Sequence, residues 1–175
     1  IRGGFGFGLS TSSSNNVITS VTLSNTSIIA GGDIWGGGGF GLEFSSSNNI
    51  TSVTLSNTSI SSGTYIYGGA GFGLYLSSSD NVITSVTLSN TSITSGTYIW
   101  GGGGFGLSFS SSNNVITSVT LSNTSISLVN GIYGGGGFGL YSSSSNNVIT
   151  SVMLSNTSIF SGTFIRGGGG FGLDS

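Results

Sequence analysis

The chain lacks the residues that support most metal and nucleophilic chemistry. Its 175 residues include no Cys, no His and no Pro, and only two Lys or Arg against four Asp or Glu. Without His or Cys, zinc sites and nucleophilic triads have none of their usual parts. A net charge of −2 cannot neutralise a nucleic-acid backbone, which needs clustered basic residues. We therefore expect no cofactor and no nucleic-acid partner.

Long hydrophobic runs are also missing. No apolar stretch approaches the roughly 18–20 residues of a membrane-spanning helix, so the sequence predicts no membrane span. It shows no signal peptide and does not start with Met, and it begins and ends inside a repeating unit, so we expect a mature or excised piece of a longer array. A surface of Ser, Thr, Asn and Gly with almost no charge favours an extracellular or cell-surface location.

Glycine and aromatic residues are abundant instead. The chain has 34 Gly, and its hydrophobic fraction of 35% includes 11 Phe, 6 Tyr and 2 Trp. Ordinary disordered segments combine low hydrophobicity with high charge or many Pro. This composition therefore provides enough apolar side chains for a core.

A repeat runs through the whole chain. The tripeptide Phe-Gly-Leu recurs with its Phe residues separated by 33, 32, 33, 33 and 33 positions. A fixed period of this length indicates stacked repeats in a single array. The predicted repeats are residues 7–39, 40–71, 72–104, 105–137 and 138–170, followed by a partial repeat at 171–175.

The one shorter repeat indicates where a corner lies. The string NNVITS at 15–20 becomes NNITS at 48–52, which aligns Asn49 with Asn16 and leaves one Val out. A residue missing inside a strand would turn all later side chains to the opposite face. We therefore place the missing residue in a turn or bulge, beside the Asn pair.

Apolar residues alternate with small or polar ones in three segments of each repeat. Examples are Phe40 and Leu42 in the first segment, Val119 and Leu121 in the second, and Ile99 between two aromatic residues in the third. Ser, Asn and Gly clusters separate the segments, and no segment has the period of a helix. The pattern predicts an all-β fold, a parallel β-helix or β-solenoid with three short strands per coil and roughly five coils stacked about 4.8 Å apart.

Equivalent positions of successive coils then form rows along the stack. The predicted interior rows are Phe7/40/72/105/138/171, Leu9/42/74/107/140/173, Ile18/50/83/116/149, Val21/53/86/119/152, Leu23/55/88/121/154, Ile28/60/93/126/159 and Ile34/66/99/132/165. The string GLYLSSSDNVITSVTLSNTSI and its equivalents resemble the right-handed parallel β-helix repeats of secreted and surface proteins of bacteria and archaea. The resemblance covers the whole chain, and it implies the solenoid fold and a surface or secreted role.

Two rows of Asn are candidate ladders, in which each side-chain amide bonds to its equivalents in the coils above and below. The first row comprises Asn16, Asn49, Asn81, Asn114 and Asn147, and the second comprises Asn25, Asn57, Asn90, Asn123 and Asn156. The second row and Asn49 also match the N-x-S/T glycosylation pattern. Glycans on every coil would collide at a spacing of about 5 Å, so the ladder is the favoured interpretation, with occasional glycosylation still open.

An aromatic stripe is predicted at Trp35, Tyr67, Trp100 and Tyr133, with Arg2 and Arg166 in the same row. Such a stripe either binds sugars or a neighbouring protein, or covers the Gly-rich corner of its own coil. Both interpretations stay open. The two Arg are candidate junction residues between subunits or larger repeats.

A hydroxyl stripe is the other candidate surface. Thr22, Thr54, Thr87 and Thr120 form a row beside a Ser row, and flat Thr arrays on solenoids occur in ice-binding proteins. Met153 interrupts the Thr row, and the row beside it consists of Ser rather than Thr. An ordinary solvated face is therefore favoured.

The acidic residues do not suggest catalysis. Asp33, Glu43, Asp80 and Asp174 each stand in a row where the other coils carry uncharged residues, so we expect no enzyme. The sequence favours a structural subunit of an extracellular filament, sheath or adhesive surface fibre, with a second copy stacked head to tail as its partner. An ice- or carbohydrate-binding module is the alternative, with glycans as its possible ligands.

Overall fold

The structure, a computed structural model, describes residues 6–174 as a parallel β-solenoid of about five coils. All of the regular secondary structure in this range is β, and successive coils are about 33 residues apart, as predicted. No described residue belongs to a helix long and apolar enough to cross a membrane.

The first sheet holds a stacked ladder of Phe side chains. Its six strands are Phe7–Ser10, Phe40–Glu43, Phe72–Tyr75, Phe105–Ser108, Phe138–Tyr141 and Phe171–Asp174. Each Phe pairs in register with the next, and the rings of Phe72 and Phe105 are stacked with centroids 4.8 Å apart and planes 3° from parallel. The ring spacing equals the spacing of neighbouring strands, so every coil repeats the same packing.

The second sheet contains the longest strands. These are Asn49–Ser56, Val82–Ser89 and Val115–Ser122. At each end of the stack the equivalent strand is divided into two pieces, Val17–Ile18 with Val21–Ser24 and Val148–Ile149 with Val152–Ser155.

Two further sheets complete the coil, so each coil has four strands where the sequence pattern predicts three. The third sheet is formed by Ser27–Ala30, Ser59–Ser62, Ser92–Ser95, Ser125–Leu128 and Ser158–Ser161. The fourth is formed by Ile34–Trp35, Tyr65–Tyr67, Tyr98–Trp100, Gly131–Tyr133 and Phe164–Ile165. The third sheet escapes the pattern because two of its strands, Ser59–Ser62 and Ser92–Ser95, have a single apolar residue, and such Ser-rich segments are typical of loops.

The core consists of the predicted interior rows. In the middle coils these side chains have no exposed surface, as for Phe72, Ile83 and Leu88. Equivalent residues of the outer coils, such as Leu23 and Leu154, are partly buried against them. At the two ends of the stack, Phe7, Phe171 and Leu173 were predicted to be interior but are exposed, because no further coil covers them. Stacking therefore buries the apolar side chains that a single coil would leave exposed to solvent.

The missing residue of the short coil lies in the corner beside the Asn pair, as predicted, but it is not the Val. Val17 pairs with Asn49, so the position of this Val is present in the short coil and is occupied by Asn49. The other coils place two left-handed residues directly after the first-sheet strand, as Phe109 and Ser110 do with φ of 55° and 64°. The short coil has only Phe44 there, with φ of 49°. The shortening is absorbed before the second-sheet strand begins, and the strand keeps its register.

Glycine is required where the fourth sheet turns into the first. At Gly102, an added Cβ would lie 2.0 Å from the carbonyl oxygen of Phe105 and 2.6 Å from the backbone nitrogen of Gly139. The backbone of one segment therefore packs directly on the backbone of another, which only Gly permits. This explains the GGGG run as a tight corner.

Candidate functional site

A continuous Asn ladder runs along the corner before the second sheet. The ladder is made of Asn16, Asn48, Asn81, Asn114 and Asn147. The Oδ1 atom of Asn81 accepts hydrogen bonds from the backbone N–H and the Nδ2 of Asn48, at 3.0 and 2.9 Å. The same two bonds recur between every neighbouring pair, so each coil holds the next by a buried polar contact.

Asn49 was assigned to this ladder wrongly. It pairs with Val17 and Val82 at the start of the second-sheet strand, and its side chain is exposed. Asn48 takes the ladder position, with 1% of its side chain exposed. The sequence alignment matches the pair Asn15-Asn16 with the pair Asn48-Asn49 because they are identical. In the structure, the short coil lacks a residue before its Asn pair, so Asn48 rather than Asn49 is equivalent to Asn16.

The second Asn row forms turns rather than a continuous ladder. Its five residues are exposed and left-handed, with φ between 46° and 51°. Within residues 6–174, the only side-chain bond that joins this row runs from Nδ2 of Asn156 to Oδ1 of Asn123, at 3.2 Å. Asn tolerates the left-handed conformation better than other non-Gly residues, which explains its recurrence here.

A buried row of Thr hydroxyls follows that turn and was missed by sequence reasoning. Thr58, Thr91 and Thr124 are each 2% exposed. Their hydroxyls donate to the carbonyl two residues earlier, as Thr91 does to Ser89 at 3.2 Å. The N-T-S motif thus combines a turn residue with a buried hydroxyl, a use that its resemblance to a glycosylation motif conceals.

The predicted aromatic stripe lies on the outer face of the fourth sheet, within a larger cluster. Trp100 packs against Tyr67 and Tyr133, with centroids 5.6 and 4.9 Å away. It also packs against Phe109 and Tyr141, at 5.7 and 5.3 Å, which approach from the outer side of the first sheet. The four stripe residues are half-buried, and their rings pack against one another and against this second set of rings.

Of the two candidate junction residues, only Arg166 is described. Its guanidinium lies over the rings of Tyr133 and Phe164, at 5.3 and 5.4 Å from their centroids. Arg166 therefore extends the aromatic stripe by cation–π contacts. Arg2 lies outside the described residues.

Two Tyr hydroxyls of the cluster have raised pKa values. Burial is the main cause of the raised pKa of Tyr67, and the Asp33 carboxylate adds to it. Burial also raises the pKa of Tyr141, with a further contribution from Asp174 and an opposing one from Arg166. Both groups stay neutral hydrogen-bond donors at neutral pH.

The acidic residues occupy separate sites. Glu43 is fully buried and accepts a hydrogen bond from Ser10 at 3.3 Å. Asp33 accepts one from the Thr64 hydroxyl, and Asp80 is an exposed left-handed corner residue. Among the described residues, no group of three or more His, Cys, Asp or Glu could hold a metal ion.

The predicted hydroxyl stripe lies on the outer face of the second sheet. Thr87 stacks in register between Thr54 and Thr120, and Met153 continues the row in the last coil. A second Thr row, which the sequence pattern did not reveal, runs parallel to it at Thr19, Thr51, Thr84, Thr117 and Thr150, and all five are exposed.

Comparison with models of protein families, with curated proteins and with solved structures finds no match to this chain, so the functional argument rests on the geometry of its rows.

Proposed function

We propose that the chain is a structural subunit of an extracellular filament, sheath or adhesive surface fibre, and that it assembles by stacking its coils on those of a second copy. The main support is the register of the rows. Each strand of one coil pairs in parallel with its equivalent in the next, and in the second sheet Ile, Val, Thr, Leu and Ser of the middle coils lie opposite the same residue types. The upper face of one coil is therefore a template for the lower face of another.

The outer coils of the stack expose apolar rows that no further coil covers. Leu88 and Ile93 are fully buried in the middle of the solenoid, whereas the equivalent Leu154 and Ile159 are only partly buried and line an open recess. Another coil of the same kind would cover them and pair with the open strand edges. The first sheet has six strands, with Phe7–Ser10 and Phe171–Asp174 at its two ends, whereas the third and fourth sheets have five each. Head-to-tail stacking of two copies therefore requires one of these two end strands to be displaced.

The charge content also supports self-association outside the cell. Six charged side chains, two basic and four acidic, leave almost no repulsion between copies. A surface of hydroxyl and amide groups remains hydrated without relying on charge.

The test is assembly of the purified chain. We expect light scattering to detect association that grows with concentration, and fibre diffraction of the product to show an axial spacing of about 4.8 Å. A chain that stays monomeric at high concentration, with no fibres in electron micrographs, would contradict the proposal.

A matched pair of variants separates stacking from lateral association. Leu154→Lys places a charge on the apolar face of the last full coil and should suppress assembly. Phe160→Lys makes a similar change at a side chain that is 63% exposed on the outer face of the third sheet, and assembly should persist. Equal loss of assembly in both variants would indicate lateral association.

A further inference from the structure

The outer face of the second sheet, here called the Thr face, consists of five rows that run along the solenoid. From the start of the strand, they are Val17/Asn49/Val82/Val115/Val148, Thr19/51/84/117/150, Ser20/52/85/118/151, Thr22/54/87/120 with Met153, and Ser24/56/89/122/155. No row contains a charged residue. The face extends over all five coils.

A local irregularity of the strand produces the first Thr row. Ile83 and Val86 are both fully buried although they are three positions apart, so Thr84 and Ser85 between them both lie towards the surface. The regular strand pairing includes Ile83 and Ser85 but omits Thr84. Strict alternation counted from Val86 would turn Thr84 inward, which is why the sequence pattern conceals this row.

The chemistry of the Thr face differs from that of an ordinary solvated sheet. Within residues 6–174, the Thr hydroxyls of both rows form no hydrogen bond to the protein. Val17 and Val148 are 77% and 58% exposed, and Val82 and Val115 are 43% and 40% exposed. Solvated positions of a sheet usually carry Lys, Glu or other charged residues. Here, exposed methyl groups alternate with hydroxyls that are free to bond to water.

We propose that the Thr face binds ice. Equivalent groups repeat about 4.8 Å apart along the solenoid axis, close to the spacing of water rows in hexagonal ice. Methyl groups restrict the orientation of the first water layer, and the hydroxyls anchor that layer by hydrogen bonds. An uncharged array that repeats along the solenoid axis over five coils matches a crystal surface better than a flexible ligand. The face carries no aromatic platform on which a sugar ring could stack.

This activity does not depend on stacking into fibres. It is tested on protein that light scattering shows to be unassembled. We expect the protein to lower the freezing point below the melting point and to shape growing ice crystals. Thr84→Lys should abolish both effects. Thr94→Lys, in the same coil but on the outer face of the third sheet, is the matched control because both Thr are exposed, and it should retain them. Thermal denaturation should show that both variants remain folded.

A gain of activity provides the sharper test. Met153 is 58% exposed and interrupts the second Thr row, so Met153→Thr should increase the freezing-point difference by completing the row. Absence of the effect in the unmodified chain, or equal loss in Thr84→Lys and Thr94→Lys, overturns the proposal. If the chain instead sediments with crystalline chitin or cellulose and Thr84→Lys prevents this, the Thr face binds polysaccharide and the ice proposal is wrong.

Discussion

Single polar residues contribute to this core as directly as the Phe side chains do. Asn48 is almost completely buried, and its Oδ1 accepts bonds from the backbone N–H and the Nδ2 of Asn16, at 3.0 and 2.9 Å. Its own N–H and Nδ2 donate to Asn81. Because buried amide groups are costly when unpaired, the ladder specifies which coil positions can face each other.

Adjacent Ala substitutions distinguish the ladder residue from its neighbour. Asn48→Ala should lower the free energy of unfolding by about 1–3 kcal/mol, since it leaves the donors of Asn16 without their acceptor. Asn49→Ala should change it by no more than about 0.5 kcal/mol, because Asn49 is exposed and its equivalents are Val. Urea denaturation measures both values. Similar losses in the two variants would contradict the assignment of Asn48 to the ladder.

Strands and corners tolerate change differently. The short coil shows that a corner can lose one of its two left-handed residues while the strand that follows keeps its partners. A strand has no such freedom, since its side chains alternate between core and solvent. The corners therefore absorb variation in length, and the strands determine register.

Single deletions should show this difference. Removing Ser110, one of a left-handed pair, reproduces the corner of the short coil and should leave cooperative unfolding nearly unchanged. Removing Thr120, inside the strand Val115–Ser122, shifts part of the strand so that Leu121 or Val119 faces solvent, and cooperative unfolding should be lost. Thermal unfolding followed by circular dichroism compares the two. Comparable stability of both would mean that register is not determined by the strands.

Periodicity predicted the elements whose apolar residues alternate and missed those that depend on geometry. The Phe and Leu rows of the first sheet follow directly from spacing, as does the solenoid itself. The third sheet was missed because Ser62 and Ser95 fill interior positions with hydroxyls, which bond to carbonyls of the preceding coil. Thr84 was missed because the irregularity that exposes it leaves no mark in composition.

At the scale of the whole molecule, the array relies on packing and neutral hydrogen bonds rather than on charge. The Phe stack, the Asn ladder and the outer aromatic cluster all connect each coil to the next. Because the chain has no His, none of its side chains has an ordinary pKa between about 5 and 8. Stability should therefore depend little on pH in the neutral range.

The alkaline limit should come from the Tyr residues of the outer cluster. Burial raises the pKa of Tyr67 and Tyr141 above 10.0, so the folded chain holds these protons more tightly than the unfolded chain does. The resulting stability is fully present below the unfolded pKa of about 10 and is lost as the pH rises through the folded values. Urea denaturation should give a constant free energy of unfolding from neutral pH to about pH 9, and a decline above pH 10. The double variant Tyr67→Phe/Tyr141→Phe should decline less, because it removes both ionising groups and keeps the rings. An identical decline in the unmodified chain and the variant would place the alkaline sensitivity elsewhere in the solenoid.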